Sequence, residues 1–226
     1  MFWNLGPNAV NERLTALFLP TLSFISGHQQ SIPALFHERL LYTREHGVKA
    51  YGAFAYFVSS MIFGVPIIAL QVLIFSAVQY PMCGFRSGPG HFGLYFLVYF
   101  LLSFTGYLNC MALACFASSA QTAIQLFPIV FLFQITFSGF IIFIPTFPLW
   151  LRAWGPYISY IRFGYQTLVV NELDGNNQVN YSQEYLNMMG FESLSISQCW
   201  PIIFIFDAIF VIGAIVCLKY MNYEKR

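Results

Sequence analysis

Charge is what this chain has least of. Only 8% of its 226 residues are Asp, Glu, Lys or Arg, and the formal net charge is +1. With no basic face to neutralise phosphates, nucleic acid is not expected as a partner. The five cysteines, Cys83, Cys110, Cys115, Cys199 and Cys217, form no C-x-x-C pair, and no histidines cluster at ligand spacing, which argues against a zinc site. The long apolar runs carry no nucleophile beside a base and no paired carboxylates, which argues against an integral membrane enzyme. Met1 is not followed by a basic region and apolar core ending in small residues, so no secretory signal peptide is expected.

Apolar side chains are abundant instead. At 58% hydrophobic and a mean hydropathy of +0.65, the chain cannot hide them in one soluble core, because a domain of this size still exposes much of its surface. Lipid must be the solvent. A helix crosses a bilayer with about 20 apolar residues, and runs of that order occupy 14–35, 51–78, 92–116, 122–144 and 201–218. The predicted fold class is an all-α integral membrane bundle of about five transmembrane helices, forming one domain over 1–226.

The first run ends in Gly27, His28, Gln29, Gln30 and Ser31. Polar side chains inside a bilayer must face protein or a wet cavity; either these groups satisfy one another between helices or at the interface, or they line the inner mouth of a path. Pro66 should kink the second run. Pro81, Gly84, Gly88, Pro89 and Gly90 mark a turn in 79–91. In the third run Ser103, Thr105, Gly106 and Asn109 are candidates for close helix contacts. The short link at 117–121 makes the third and fourth runs an antiparallel hairpin. The segment 145–200 reads as an external loop. Its first part, 148–173, is apolar but broken by Arg152, Gly155, Pro156, Arg162 and Gly164, and is expected to form re-entrant or interfacial helices. Its second part is polar and carries the glycosylation sequon Asn180-Tyr181-Ser182, which matters only outside the cell.

The scarce charge concentrates between the first two runs, where Glu38, Arg39, Arg44, Glu45 and Lys49 lie within Phe36 to Tyr51. Phe36, Leu40 and Leu41 fall at roughly helical spacing with the charges mostly off that stripe, so 36–47 reads as a short amphipathic helix. Glu45 precedes Lys49 by one turn, the favourable order for an ion pair. This connector is either a solvated turn or a docking helix for a soluble partner. Arg39, Arg44, Lys49, Lys219, Lys225 and Arg226 fall on one side of the membrane, against Arg13 and Arg86 in the short connectors of the other; the richer side is the cytoplasm. That puts the connector inside and the sequon outside. Cys110, Cys115 and Cys217 read as small hydrophobes, whereas Cys83 and Cys199 fall in outer connectors, where a disulfide within or between subunits is open.

Two ordered motifs carry a resemblance. Arg44-Glu45 followed by Tyr51, Tyr56-Phe57 and a span with Pro66 is similar to the first intracellular loop of the G subfamily of ATP-binding cassette transporters, the white and pleiotropic-drug-resistance types. Far downstream, Phe137-Ser138-Gly139-Phe140, Ile144-Pro145, Pro148-Leu149-Trp150-Leu151-Arg152, Tyr157 to Tyr165 and Leu168-Val169-Val170-Asn171-Glu172 resemble the later part of the same membrane domain. The resemblance implies an ATP-driven exporter of lipid, sterol or xenobiotic, a second half-transporter as homo- or heterodimer partner, and a plasma membrane location. It also implies a coupling helix at 36–47, with Glu38, Arg39, Arg44, Glu45 and Tyr51 meeting a nucleotide-binding domain. In the family the second and fifth spans line the central cavity; these correspond to the first and fourth runs here, with Phe18, Ser23, Phe24, Phe131, Leu132, Ile135 and Phe140 as cavity positions. No G-x-x-x-x-G-K-[ST] loop occurs, so ATP and magnesium are expected on a nucleotide-binding domain outside these residues. Met1 to Gly6 look like the last turn of the family's first span. Two rivals remain: a proton-coupled secondary transporter using Asp207, which lies about two turns from Trp200, and a non-transporting fragment that binds a full-length partner.

Overall fold

The computed structural model describes residues 5–6, 9–48, 51–174, 182–191 and 195–220, and among them there is no strand. Helix α1 covers Val10–Gly27 and passes through a 3-10 turn, His28–Ser31, into α2, Ile32–Gly47. Helices α3 (Ala53–Cys83), α4 (Pro89–Phe116) and α5 (Ala120–Thr136) follow. Two single-turn helices, α6 (Leu149–Arg152) and α7 (Gly155–Ile158), lead into α8 (Tyr160–Leu173), then α9 (Ser182–Met189) and α10 (Ile196–Tyr220).

The bundle is built around α4, which touches α1, α2, α3, α5, α8 and α10. Length and composition make α3, α4 and α10 capable of crossing a membrane. Their surroundings differ: Tyr95, Tyr99, Leu102 and Leu108 of α4 are buried, while Ile62, Phe63, Ile67 and Leu70 of α3 and Ile205, Ile209 and Ile212 of α10 are exposed. Helices apolar on an outward face belong in lipid, where burial of that face by protein is not required.

Prolines inside helices explain several polar side chains. Pro20 has no amide to offer the carbonyl of Ala16, four residues back, and the side-chain amide of Gln79 donates to that oxygen at 2.8 Å. Tyr95 in turn donates its hydroxyl to Gln79 Oε1 at 2.5 Å. Pro128 likewise frees the carbonyl of Ile124, which accepts from Gln29 Nε2 at 3.3 Å. A freed carbonyl inside a bilayer has no water to turn to, so a neighbouring helix must supply the donor.

At the polar end of the first run His28 and Gln29 bond to other helices, whereas Ser31 bonds the His28 carbonyl within the turn, Gln30 is exposed, and His28 and Ser31 also line a cavity. His28 Nε2 lies 2.9 Å from Ser103 Oγ, and Gln29 holds α5. The remaining third-run candidates also sit at contacts: Thr105 donates to Asp207 Oδ1 at 2.7 Å, Gly106 lets α1 approach at Ile25, and Asn109 is buried.

Helix bounds differ from the expected runs at several ends: α1 begins at Val10, α3 runs on through Pro81 to Cys83, α4 begins at Pro89, so that of the expected turn residues only Gly84 and Gly88 lie between helices, and α10 covers Ile196–Tyr220. Residues 32–35, read as the end of the first span, belong to the connector helix, because Ile32 and Leu35 continue its buried stripe. The fourth helix stops at Thr136 and not at 144: Gly139 has a φ of 84°, a left-handed conformation that breaks the helix, and a Cβ there would meet the Phe191 ring at 2.9 Å. In the stretch expected to be re-entrant or interfacial, 160–173 forms α8, which is buried almost throughout against α1, α4, α5 and α10. Gly164 permits this insertion, for a Cβ there would lie 2.4 Å from Leu102 of α4.

Candidate functional site

The connector helix α2 presents two unlike faces. Ile32, Leu35, Phe36, Arg39 and Tyr42 recur at helical spacing and are buried against α4 and α5, whereas His37, Glu38, Leu41, Arg44 and Glu45 face outward. The expected stripe is therefore corrected in two residues: Leu41 is 55% exposed, and Arg39 stands on the buried side at 6%. The Arg39 guanidinium donates to the carbonyls of Ala114 at 2.9 Å and Ala117 at 2.6 Å. These belong to the last turn of α4, where carbonyls lack amide partners and the helix dipole favours a cation. Arg39 is thus turned inward and pins the connector to the bundle, which is not the outward contact expected of it.

The far end of α2 is seated by rings. Tyr42 packs on His46 at a centroid distance of 5.3 Å, on Tyr51 at 5.8 Å and on Tyr56 at 5.2 Å. His46 Nδ1 reaches the Tyr51 carbonyl at 3.0 Å. Glu45, a hydrogen-bonding partner of the Tyr51 hydroxyl, pushes that phenol up to about 12. The helix is held at both ends while Glu38, Arg44 and Glu45 stay at the surface. Lys49, the expected partner of Glu45, lies outside the described residues.

An ionic assembly at the other end of the bundle was missed by sequence reasoning. Arg13, at the start of α1, pairs with Glu172, at the end of α8, and also donates to the carbonyls of Gly84 at 3.1 Å and Leu5. The backbone amide of Arg86 donates to the second Glu172 oxygen at 2.9 Å, and its guanidinium reaches the Asp174 carbonyl at 2.6 Å. Burial pushes the Glu172 carboxyl up, while the Arg86 amide and Arg13 act to hold it down. One signal was available: Arg13 and Glu172 lie close to apolar stretches, Ala16 to Leu19 and Leu168 to Val170, where a charge needs a partner.

The expected cavity positions do not form one open wall. Phe18 and Phe24 of α1 are buried; Phe18 stacks on Phe140 at 4.1 Å and meets Tyr165 edge-on, and Phe24 packs on Phe75 and Tyr99. Phe131 and Ile135 are partly buried against the same core. Ser23 and Leu132 are exposed, the latter at 65%, with Leu19 and Ile129 one turn away on their respective helices. The surface that α1 and α5 leave uncovered is therefore Leu19 and Ser23 with Ile129, Leu132 and Phe133. None of the seven expected positions lines the cavity of about 790 Å³ in the structure, which lies between α2 and α3.

Two further expectations are settled or set aside. Cys83 and Cys199 are buried in separate apolar clusters and form no disulfide with each other within the chain; Cys199 lies inside α10 and not in a connector. Asn180 lies outside the described residues. Asp207 lies eleven residues into α10, nearer mid-helix than the outer interface expected from Trp200.

The model of the family described as ABC-2 type transporter matches residues 1–173. The chain belongs to that family. Relatives of this ABC-2 membrane domain include ABC transporter G family member 45 of Oryza sativa subsp. japonica, 25% identical over 242 residues that cover 100% of this chain and 18% of that protein. Protein white of Drosophila melanogaster is 29% identical over 160 residues, 69% of this chain and 22% of its own length. The broad substrate specificity ATP-binding cassette transporter ABCG2 of Sus scrofa is 26% identical over 172 residues, 76% and 26% respectively. The chain thus spans 18% to 26% of the length of these curated relatives. It is a multi-pass integral membrane domain of the G-subfamily type.

Proposed function

We propose that this membrane domain is the transmembrane part of an ATP-driven exporter that moves hydrophobic molecules such as lipids, sterols or xenobiotics across the plasma membrane. The observation that carries the reading is the connector helix: one face locked to the bundle through Arg39 and Tyr42, the other charged and exposed. A rigid element with a free charged face suits the transfer of a mechanical push from a nucleotide-binding partner to two packings of a helix bundle. ATP and its magnesium belong on that partner, as no phosphate-binding loop occurs here. A second membrane domain, of the same or another chain, would cover the surface at Ser23 and Leu132, and the apolar, aromatic character of that surface favours flat hydrophobic cargo.

A second reading rests on Asp207, buried near mid-helix in α10 with Oδ1 bonded to Thr105 and Oδ2 without a partner. An intramembrane acid of this kind is a proton-site candidate. Vesicles holding the membrane domain joined to a G-subfamily nucleotide-binding domain separate the two readings. ATP-dependent movement of a hydrophobic fluorophore, unchanged in Asp207→Asn, is the expected result. Movement driven by a pH gradient without ATP, and lost in Asp207→Asn, would replace the exporter by the proton-coupled transporter.

A further inference from the structure

The cavity between α2 and α3 has an unequal lining. At the end nearest the link between the helices it is edged by Glu38, Glu45 and Tyr51; further along it is walled by Ala55, Phe63, Ile67 and Ile68. From Ala55 to Gln71 the α3 wall extends 16 residues, about 24 Å at the helical rise. Glu38 and Glu45 lie two turns apart on the outward face of α2, about 10 Å along its axis. Among the described residues no lysine or arginine lines the cavity. Tyr56 adds an independent observation: its side chain lines the same space and is 6% exposed, and its hydroxyl has no hydrogen-bond partner among the described residues. Ser60, one turn on, is near that hydroxyl but outside hydrogen-bond geometry. A buried hydroxyl left unbonded is destabilising, and a polar ligand atom would relieve it.

We propose that this cavity is a binding site for a single-chain amphiphile with a cationic amine head, the amine held by Glu38 and Glu45 and the tail lying along Phe63, Ile67 and Ile68. The volume fits a small-molecule site of ordinary size. The two carboxylates attract an amine and repel a fatty acid. A zwitterionic phospholipid is disfavoured for a related reason, since its phosphate would meet Glu38 and Glu45 and, among the described lining residues, no lysine or arginine. The site is separate from the surface at Ser23 and Leu132, but it shares Glu38 and Glu45 with the α2 face that the exporter reading gives to a nucleotide-binding partner.

The test uses the purified chain in lipid vesicles with two probes, a hexadecylamine carrying a photoreactive group in its tail and the matching hexadecanol. The amine should label the 55–71 segment of α3 about tenfold more than the alcohol, the gain that two partly screened carboxylates supply. Glu38→Gln with Glu45→Gln should bring amine labelling down to the alcohol level, while Glu12→Gln leaves it unchanged. Both exchanged glutamates are exposed, so folding is not at stake. Ala55→Trp, which narrows the cavity without altering charge, should reduce labelling by both probes. Equal labelling by amine and alcohol, or an amine signal untouched by the double exchange, would overturn the proposal. So would equal protection by added phosphatidylethanolamine, which would make the site a phospholipid groove. Loss of labelling when the chain is joined to the upstream part of a relative would overturn it too, by showing that a protein helix fills the space.

Discussion

The two ends of this bundle use charge in opposite ways. At one end Arg13 and Glu172 are buried, paired and further bonded to the Gly84 carbonyl and the Arg86 amide. At the other end Glu38, Arg44 and Glu45 are exposed on a helix whose buried cation, Arg39, is bonded to carbonyls and so holds the exposed face in place. The first arrangement closes on itself and ties three segments distant in sequence. The second leaves its charge available to something outside the chain. Charged residues in a membrane protein are costly wherever they are desolvated, and the difference in burial separates a clamp from a contact surface.

Stability measurements can break this comparison, beginning with the largest effect. Glu172→Ala leaves Arg13 buried without its carboxylate and should destabilise the domain by about 3–5 kcal/mol, read as a lowered thermal unfolding midpoint in detergent; a loss under about 1 kcal/mol would mean that water already solvates the pair. Arg39→Met keeps the side-chain bulk but abandons two carbonyls at the end of α4, with an expected loss of about 1.5–3 kcal/mol. Gln79→Leu orphans the Ala16 carbonyl and the Tyr95 hydroxyl and should cost about 1–3 kcal/mol by the same measurement. At the low end, Glu38→Gln and Arg44→Gln should stay within about 0.5 kcal/mol of the parent. A large loss at either would place those side chains in the structural network and remove the contrast between the two ends.

Much of the bundle was legible in the sequence, because apolar runs, prolines and scarce charges report directly on lipid burial. The connector was legible as a charged interruption, but the position of its buried face was not. Phe36, Leu40 and Leu41 looked like the stripe, and only the inward contact of Arg39 with α4 shows that the stripe runs through Ile32, Leu35, Arg39 and Tyr42. A charged side chain inside an apolar stripe is invisible to a pattern that sorts by polarity alone. Gln29 and Gln79 were opaque for a related reason. Each serves a carbonyl freed by a proline on another helix, 95 and 63 residues away in sequence, and nothing local pairs a glutamine with its proline. The uncovered surface of α1 and α5 was the least legible part, since aromatic residues that pack inward at Phe18 and Phe24 are indistinguishable by composition from those left open.

The central claim, that drive enters at the exposed face of α2, is tested most directly by counting substrate moved per ATP hydrolysed. The membrane domain joined to a G-subfamily nucleotide-binding domain would be compared with its Arg44→Glu, Glu45→Arg form in vesicles. The account predicts that ATP hydrolysis persists while substrate moved per ATP falls at least about tenfold, a coupling loss of about 1.4 kcal/mol. An unchanged ratio in the charge-reversed protein would contradict it.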